Sequence, residues 1–223
     1  MYHAAAITTT GQLWTWGKNF RGQLGQDSTI DRSSPIQVGS GTTWSKISCL
    51  ENDTFAIKTD GTLWFVGGLN SLGSAGLNDT TQRSSPVQIG ALTTWSKLPT
   101  CSSQSVSSMA AINSSGQLFT WGRNNYGVLG RNSQTECSSP IQVGALTTWN
   151  SVTIGSFFML ASTTGGTLFS WGMNFNYGQL GQNNRTNISS PVQIGALTTW
   201  SQFVAAGRAV CAAIGNFTNI SPG

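Results

Sequence analysis

A glycine-bounded phrase that occurs four times constrains the fold of this 223-residue chain more than any other feature. Residues 11–17 read Gly-Gln-Leu-Trp-Thr-Trp-Gly, and related phrases begin at Gly61, Gly116 and Gly166. A Ser-Ser-Pro element recurs in step with them, and each of its prolines stands nine residues before a tryptophan. The prolines are Pro35, Pro86, Pro140 and Pro191, and the tryptophans are Trp44, Trp95, Trp149 and Trp200. Such regular spacing predicts one structural unit that is built four times.

Each unit has the pattern of several short β-strands. Aromatic and β-branched runs lie between glycines, and no stretch keeps a helical period long enough for a helix. Thr54–Lys58 and Leu63–Val66 flank Asp60-Gly61, so we expect a hairpin closed by a type I′ turn. The strand after Ser-Ser-Pro is expected at a sheet edge, because proline cannot donate a hydrogen bond to a neighbouring strand. Together with Trp44–Cys49, the unit offers about four strands.

Four-stranded sheets that repeat radially are the blades of a β-propeller. We therefore predict an all-β fold of four antiparallel, four-stranded blades of about 51 residues each. The Leu-Trp-Thr-Trp run is apolar on both sides, as expected where both faces of a sheet pack on neighbours. A β-solenoid is the structural alternative. The expected single repeat domain spans 1–223, with an extra strand at 1–10, blades at 11–60, 61–115 and 116–165, and a fourth blade with a terminal strand at 166–223.

The ends of the repeat bear on whether a ring closes. Tyr2–Ile7 resembles Met109–Ile112, and Val210–Ile214 resembles both, so four units are accompanied by a fifth copy of one strand. A closed four-bladed ring has room for one of the two end copies, and proteins normally cover an unpaired strand edge. We therefore expect an open arc or part of a larger ring, with a four-bladed ring closed by a swapped terminal strand as the alternative.

One longer phrase resembles a known repeat. Residues 11–25 have the pattern Gly-x-Leu-Trp-x-Trp-Gly-x-Asn-x-x-Gly-Gln-Leu-Gly, and residues 84–88 read Ser-Ser-Pro-Val-Gln. Together they resemble the repeat of the regulator of chromosome condensation family, over essentially the whole chain. The resemblance implies a β-propeller, which in this family usually has seven blades. The second unit departs most from the pattern, since Gly67–Asn70 and Gly73–Gly76 replace its Trp-Gly and Gly-Gln-Leu-Gly signatures.

The sequence shows no catalytic, metal or cofactor constellation. His3 is the one histidine and lies in a segment that matches a repeat strand, so a structural or exposed role is expected. The seven carboxylates form no recurring pair, and interchangeable units rarely host a unique active site. The four cysteines lack the Cys-x-x-Cys spacing of zinc sites and are expected to be buried thiols. They are Cys49, Cys101, Cys137 and Cys211.

Charge and hydropathy limit the partners. Only 8% of residues are charged, and the net charge of +4 is spread singly along the chain, whereas nucleic-acid binding calls for a basic cluster. No apolar run is long enough to span a membrane, and residues 1–4 lack the features of a secretory signal. We therefore expect neither nucleic acid nor membrane as a partner. An extracellular or virion location is favoured by the low charge.

The turn after each Leu-Trp-Thr-Trp strand is the candidate binding surface. An asparagine recurs there as a turn former, while the neighbouring side chain varies and is often aromatic. The tryptophans, in contrast, recur at fixed points and are expected to pack between blades. The candidate binding residues are Phe20, Arg21, Tyr126, Phe175 and Tyr177.

Three functions are consistent with this pattern. The first is a non-enzymatic structural or protein-interaction module of a surface or virion, because similar chains from bacteria and their phages resemble particle components. The second, implied by the family resemblance, is nucleotide exchange on a small GTPase together with chromatin binding. The third is a glycan-binding lectin. A protein partner or self-association is expected, with a glycan as the alternative.

Overall fold

The computed structural model describes residues 3–101, 107–206 and 210–215 and shows an all-β protein. In these residues the helical elements are two 3-10 turns, Ser71–Gly73 and Asn125–Gly127, and no helix is long and apolar enough to cross a membrane. The strands are β1 (His3–Ile7), β2 (Leu13–Gly17), β3 (Arg32–Gln37), β4 (Trp44–Cys49), β5 (Asp53–Lys58), β6 (Leu63–Gly68), β7 (Val87–Gln88), β8 (Trp95–Lys97), β9 (Thr100–Cys101), β10 (Ser108–Asn113), β11 (Leu118–Gly122), β12 (Cys137–Gln142), β13 (Trp149–Ile154), β14 (Phe158–Thr163), β15 (Leu168–Gly172), β16 (Ile188–Gln193), β17 (Trp200–Ala206) and β18 (Val210–Gly215).

These strands form four blade-like sheets and a terminal hairpin. The first sheet has the order β1-β2-β3, the second β4-β5-β6-β7, the third β8-β10-β11-β12 and the fourth β9-β13-β14-β15-β16. Neighbouring strands are antiparallel, except that β9 pairs in parallel with β13. β17 and β18 pair as the terminal hairpin. The predicted propeller blades are confirmed, with four strands in the second and third sheets, three in the first and a fifth strand in the fourth.

The sheets are offset from the sequence units. The Trp-initiated strand β4 and its partner β5 pair with β6 and β7. The glycine corner at residue 61, where a predicted unit begins, is therefore a turn inside a sheet. The same offset applies at Gly116 and Gly166, because hairpin turns join strands of one sheet. The division at 60/61, 115/116 and 165/166 stays a prediction about the sequence repeat.

The hairpin at Asp60-Gly61 is confirmed, but its expected turn type is wrong. A type I′ turn requires positive φ at both central residues, whereas Gly61 has φ 76° and Asp60 is not among the residues with positive φ. The Gly61 N–H donates to the Lys58 carbonyl at 3.0 Å, and the Lys58 N–H donates to the Thr62 carbonyl at 3.0 Å. The loop is thus a type I turn followed by a glycine bulge. Asp60 supports it by accepting the Thr62 N–H at Oδ1.

The proline-containing element lies at the edge, as predicted. β3, β12 and β16 contain the Ser-Ser-Pro prolines, β7 directly follows one, and all four are the last strands of their sheets. At this edge the missing proline N–H costs no ladder hydrogen bond.

Trp121 and Trp171 pack between neighbouring sheets, as predicted. Trp121 is fully buried, its indole N–H donates to the Ser74 carbonyl of the second sheet at 2.9 Å, and its ring centroid lies 6.2 Å from that of Phe55. Trp171 repeats the arrangement one junction later, donating to the Val128 carbonyl at 2.8 Å. Because a blade is covered on both faces, every residue of β10 is buried.

A backbone hydrogen bond to the recurring corner glycine joins each sheet to the next. The Trp149 N–H donates to the Gly116 carbonyl at 3.0 Å, which ties the start of the fourth sheet to a turn of the third. Gly116 has φ +71°, and a Cβ placed there would lie 2.2 Å from the Thr147 carbonyl oxygen. Glycine is required by both the conformation and the close approach.

In the part of the chain that the structure describes, no sheet packs on the outer face of the first sheet. Ala6 is exposed and Trp16 is half-buried, whereas the equivalent Ala111 and Trp121 are fully buried between sheets. Among the described residues, the terminal hairpin lies on the other end of the stack, where Trp200 and Phe203 pack against the Phe158 cluster. The described sheets therefore do not close into a ring, which fits the expected open arc or part of a larger ring.

Candidate functional site

A fully buried asparagine organises the loop that follows the strand next to the edge strand of each blade. Asn124 Oδ1 accepts the Leu129 N–H at 2.9 Å, and its Nδ2 donates to the carbonyls of Ser133 and Thr135 at 2.9 and 2.8 Å. The predicted turn former therefore holds loop segments that are up to eleven residues away. The same role belongs to Asn19, Asn70 and Asn174, which are also fully buried.

Replacing this asparagine is expected to loosen the loop. Asn124→Ala leaves the buried Leu129 N–H and two carbonyls without partners, at a cost of about 1–3 kcal/mol in the free energy of unfolding. Urea denaturation followed by tryptophan fluorescence measures the change. Gln134→Ala, an exposed amide in the same loop, is the matched control, and an equal loss in both variants would contradict the structural role of Asn124.

Bulky apolar side chains are exposed where these loops begin. Phe20 is 42% exposed, Leu72 39% and Phe175 47%, and Tyr177 beside Phe175 is 69% exposed. Each follows the strand that lies next to the proline-containing edge of its sheet, so all lie at the same end of the blade stack. We call this surface, formed by residues 18–21, 69–72, 123–126, 157 and 173–177, the loop-tip face. These exposed apolar groups recur on one face of the stack, which makes this face the candidate binding surface.

The structure brings two of the predicted residues together. The Tyr126 ring centroid lies 5.5 Å from that of Phe175 and 5.6 Å from that of Phe157, and the Arg123 guanidinium lies 5.3 Å from the Phe157 ring. Phe157 and Arg123 were not predicted. Phe157 belongs to the β13–β14 loop, and the pairing of Phe158 with Gly172 places that loop at the same end as the tip turns. Sequence reasoning could have found Phe157 by aligning the β14–β15 hairpin so that Phe158 faces Gly172.

The other predicted residues lie apart from this cluster. Phe20 is flanked by two cations, with the Lys18 ammonium 4.4 Å and the Arg21 guanidinium 4.8 Å from its ring centroid. Tyr177 projects into solvent. Leu72, which occupies the tip of the second sheet, was not predicted because it is not aromatic.

Two tip residues have a conformation that bulky side chains rarely adopt. Tyr126 has φ 63° and Leu72 has φ 62°, both in the left-handed region. This conformation costs roughly 1–2 kcal/mol for a non-glycine residue. Residues held in it cluster at functional sites, where the surroundings impose the geometry. The strain at these tips therefore supports a role for the loop-tip face beyond folding.

Three titratable groups inside the stack have pKa values that burial shifts. His3 is buried, its Nε2 lies 2.8 Å from Thr54 Oγ1, and burial lowers its pKa to about 4. Burial raises the pKa of the Cys49 thiol to about 11 and that of Asp53 to about 8. Within the described part of the chain, no three His, Cys, Asp or Glu side chains are grouped to hold a metal ion.

The sheet order, the radial junctions and the uncovered end define this protein as a β-propeller arc. The sequence profile of the Regulator of chromosome condensation (RCC1) repeat matches residues 10–57, 115–162 and 165–214, and a second profile of that description matches residues 149–179. The chain therefore belongs to the family of proteins that contain this repeat.

Known proteins with similar sequences are much longer. Human E3 ubiquitin-protein ligase HERC2 is 31% identical over 202 residues, which cover 87% of this chain and 4% of that protein. The Ultraviolet-B receptor UVR8 of Arabidopsis thaliana is 30% identical over 196 residues, which cover 86% of this chain and 44% of the receptor. The chain thus spans less than half the length of either relative.

Solved structures show the same fold. Human WBSCR16 superposes with a TM-score of 0.81 at 20% identity, covering 97% of this chain and 56% of WBSCR16. Prp20p of Saccharomyces cerevisiae gives a TM-score of 0.79 at 18% identity, covering 97% of this chain and 55% of Prp20p. At these identities the likeness concerns the fold alone.

Proposed function

We propose that this chain is a non-enzymatic protein-interaction module that binds its partner through the loop-tip face. The observation that carries the proposal is the exposed bulky apolar side chain at the tips of the first, second and fourth sheets. Aromatic residues are enriched at protein interfaces, and arginines placed beside them add directional hydrogen bonds. Arg21 and Arg123 are placed in this way, close to Phe20 and Phe157.

The relatives support a protein partner in general terms. Prp20p has binding properties toward Gsp1p and histones, and yeast Prp20 has been captured bound to Kap60. A propeller presents rigid loops at the ends of its sheets, which suits it to such recognition. The surface or virion role expected from composition finds no support in these relatives. Nucleotide exchange and glycan binding are kept as outcomes of the experiment below.

Quantitative affinity capture with matched variants tests the proposal. The tip variant replaces Phe20, Phe175 and Tyr177 by Ala, and the control variant replaces three apolar residues exposed elsewhere, Ile30, Leu92 and Val192. We expect a set of proteins that the wild-type chain and the control variant retain and that the tip variant loses by at least tenfold. Thermal melting of both variants should stay close to that of the wild type, because the replaced side chains are exposed.

Three other results of these experiments would contradict or change the proposed function. Equal retention by the tip and control variants contradicts the proposed surface. A small GTPase in the tip-dependent set, whose nucleotide release the chain accelerates, replaces a simple binding role with exchange activity. Binding on a glycan array that the tip variant loses, without a tip-dependent protein, replaces the protein partner with a sugar.

A further inference from the structure

One residue directly follows the Gly-x-x-Gly turn of each blade, and we call it the closing residue because in two blades its side chain donates to the outer strand. In the first sheet it is Gln26, whose Nε2 donates to the carbonyls of Ile36 and Gln37 at 3.4 and 3.1 Å. In the fourth sheet Gln182 Nε2 donates to the carbonyls of Val192 and Gln193 at 3.1 and 3.2 Å. The glutamine amide thus occupies the space beside the outer strand.

The third sheet departs from this arrangement. Its closing residue is Arg131, which donates instead to the Thr135 carbonyl of its own loop at 3.2 Å. Its Nε makes no hydrogen bond, and among the described residues it has no ion pair. In the second sheet the closing residue is Leu77, which packs against the core. Among the four closing residues, Arg131 is the charged one, and its hydrogen bond goes to its own loop rather than to the outer strand.

A groove of about 550 Å³ lies at this place, between the third and fourth sheets. Its walls include Trp149 and Phe169, whose ring centroids are 5.1 Å apart, and Ile141 and Leu146, which are 41% and 44% exposed. Arg131 is the one charged residue among the described residues that line it. The volume is within the range of small-molecule sites, which are mostly apolar with a few polar groups.

We propose that this groove binds a small carboxylate with a flat aromatic body. The aromatic part packs against the exposed side chains of Ile141 and Leu146, close to the edge of the buried Trp149. The carboxylate pairs with the Arg131 guanidinium, since a guanidinium can donate two parallel hydrogen bonds to a carboxylate. We infer a negatively charged ligand because Arg131 has no acidic neighbour among the residues that line the groove. This site is separate from the loop-tip face, because none of the residues that line it belongs to that face.

Two probes of equal shape test the charge requirement. Indole-3-acetate and indole-3-acetamide are titrated to millimolar concentration while the Trp149 indole N–H resonance is followed by NMR and assigned with Trp149→Phe. We expect the carboxylate to shift this resonance and the amide to bind at least tenfold more weakly. Equal binding of the two probes, or no shift of Trp149 by either, overturns the proposal.

The equivalent positions of the first and fourth sheets suggest the variant that tests the role of Arg131. Arg131→Gln installs the residue that closes the first and fourth sheets, so we expect it to abolish binding of indole-3-acetate without lowering the melting temperature. Arg185→Gln removes the same charge from an exposed loop and is expected to leave binding unchanged. Retained binding in Arg131→Gln, or equal loss in Arg185→Gln, contradicts the assigned role of Arg131.

Discussion

Trp121→Ala is expected to lower the free energy of unfolding by about 3–5 kcal/mol, the range for removing a fully buried large aromatic side chain. Trp121 is 0% exposed and bridges the second and third sheets. Its removal leaves a cavity beside Phe55 and Trp95, and it also removes the hydrogen bond to the Ser74 carbonyl. Urea denaturation measures the loss.

The matched control is the same residue type at the same point of the repeat. Trp16 lies in the first sheet, on the face that no other sheet covers, and is only half-buried. Trp16→Ala should therefore cost less, roughly 1–2 kcal/mol, because less apolar area returns to water. Equal losses in the two variants would mean that the face of the first sheet is covered, which contradicts the open arc.

Asp53→Asn is expected to stabilise the protein at neutral and higher pH. Asp53 is 3% exposed and its Oδ1 has no hydrogen-bond partner. Burial raises its pKa from 3.8 to about 8, so between these values the unfolded chain is ionised while the folded chain keeps its proton. The free energy of unfolding of the wild type must therefore fall as pH rises from about 4 to 8, by up to about 1.4 kcal/mol per pH unit.

Denaturation across this pH range measures the effect. The advantage of Asp53→Asn should be largest near pH 8 and vanish near pH 4, where the wild-type carboxyl is protonated in both states. Asp60→Asn is the control with the opposite sign, because hydrogen bonds from Thr62 lower the pKa of the exposed Asp60. Parallel pH curves for Asp53→Asn and the wild type would show that Asp53 is ionised in the folded protein.

Much of the architecture could be predicted because it is local and repeated. Gly61 and its three counterparts mark turns, Pro35 and its counterparts mark edges, and runs such as Leu63–Val66 are apolar on both sides. Each of these features acts within a few residues, and four copies make the signal unmistakable. The turn at Asp60-Gly61 was predicted with the wrong type, since a hairpin signal does not separate a type I′ turn from a type I turn with a glycine bulge.

The candidate sites depended on contacts between distant segments. The pairing of Tyr126 with Phe175 joins residues of two blades, and the addition of Phe157 requires the register of a third loop. The groove at Arg131 arises because one closing residue makes different hydrogen bonds from its counterparts Gln26 and Gln182. A sequence comparison shows the difference in residue type but not the space that it leaves.

The sequence alone determined the kind of unit, its number of copies and the strands that end at glycine or proline, because backbone sterics and hydrophobic patterning act locally. The tertiary structure decided which strands share a sheet, which tryptophans are covered and which loop residues meet. Ala6 and Ala111 occupy the same position of the repeat, yet one is exposed and the other fully buried. Whether a residue is buried depends on the blade that packs beside it. The sequence of one repeat does not show whether such a blade is present.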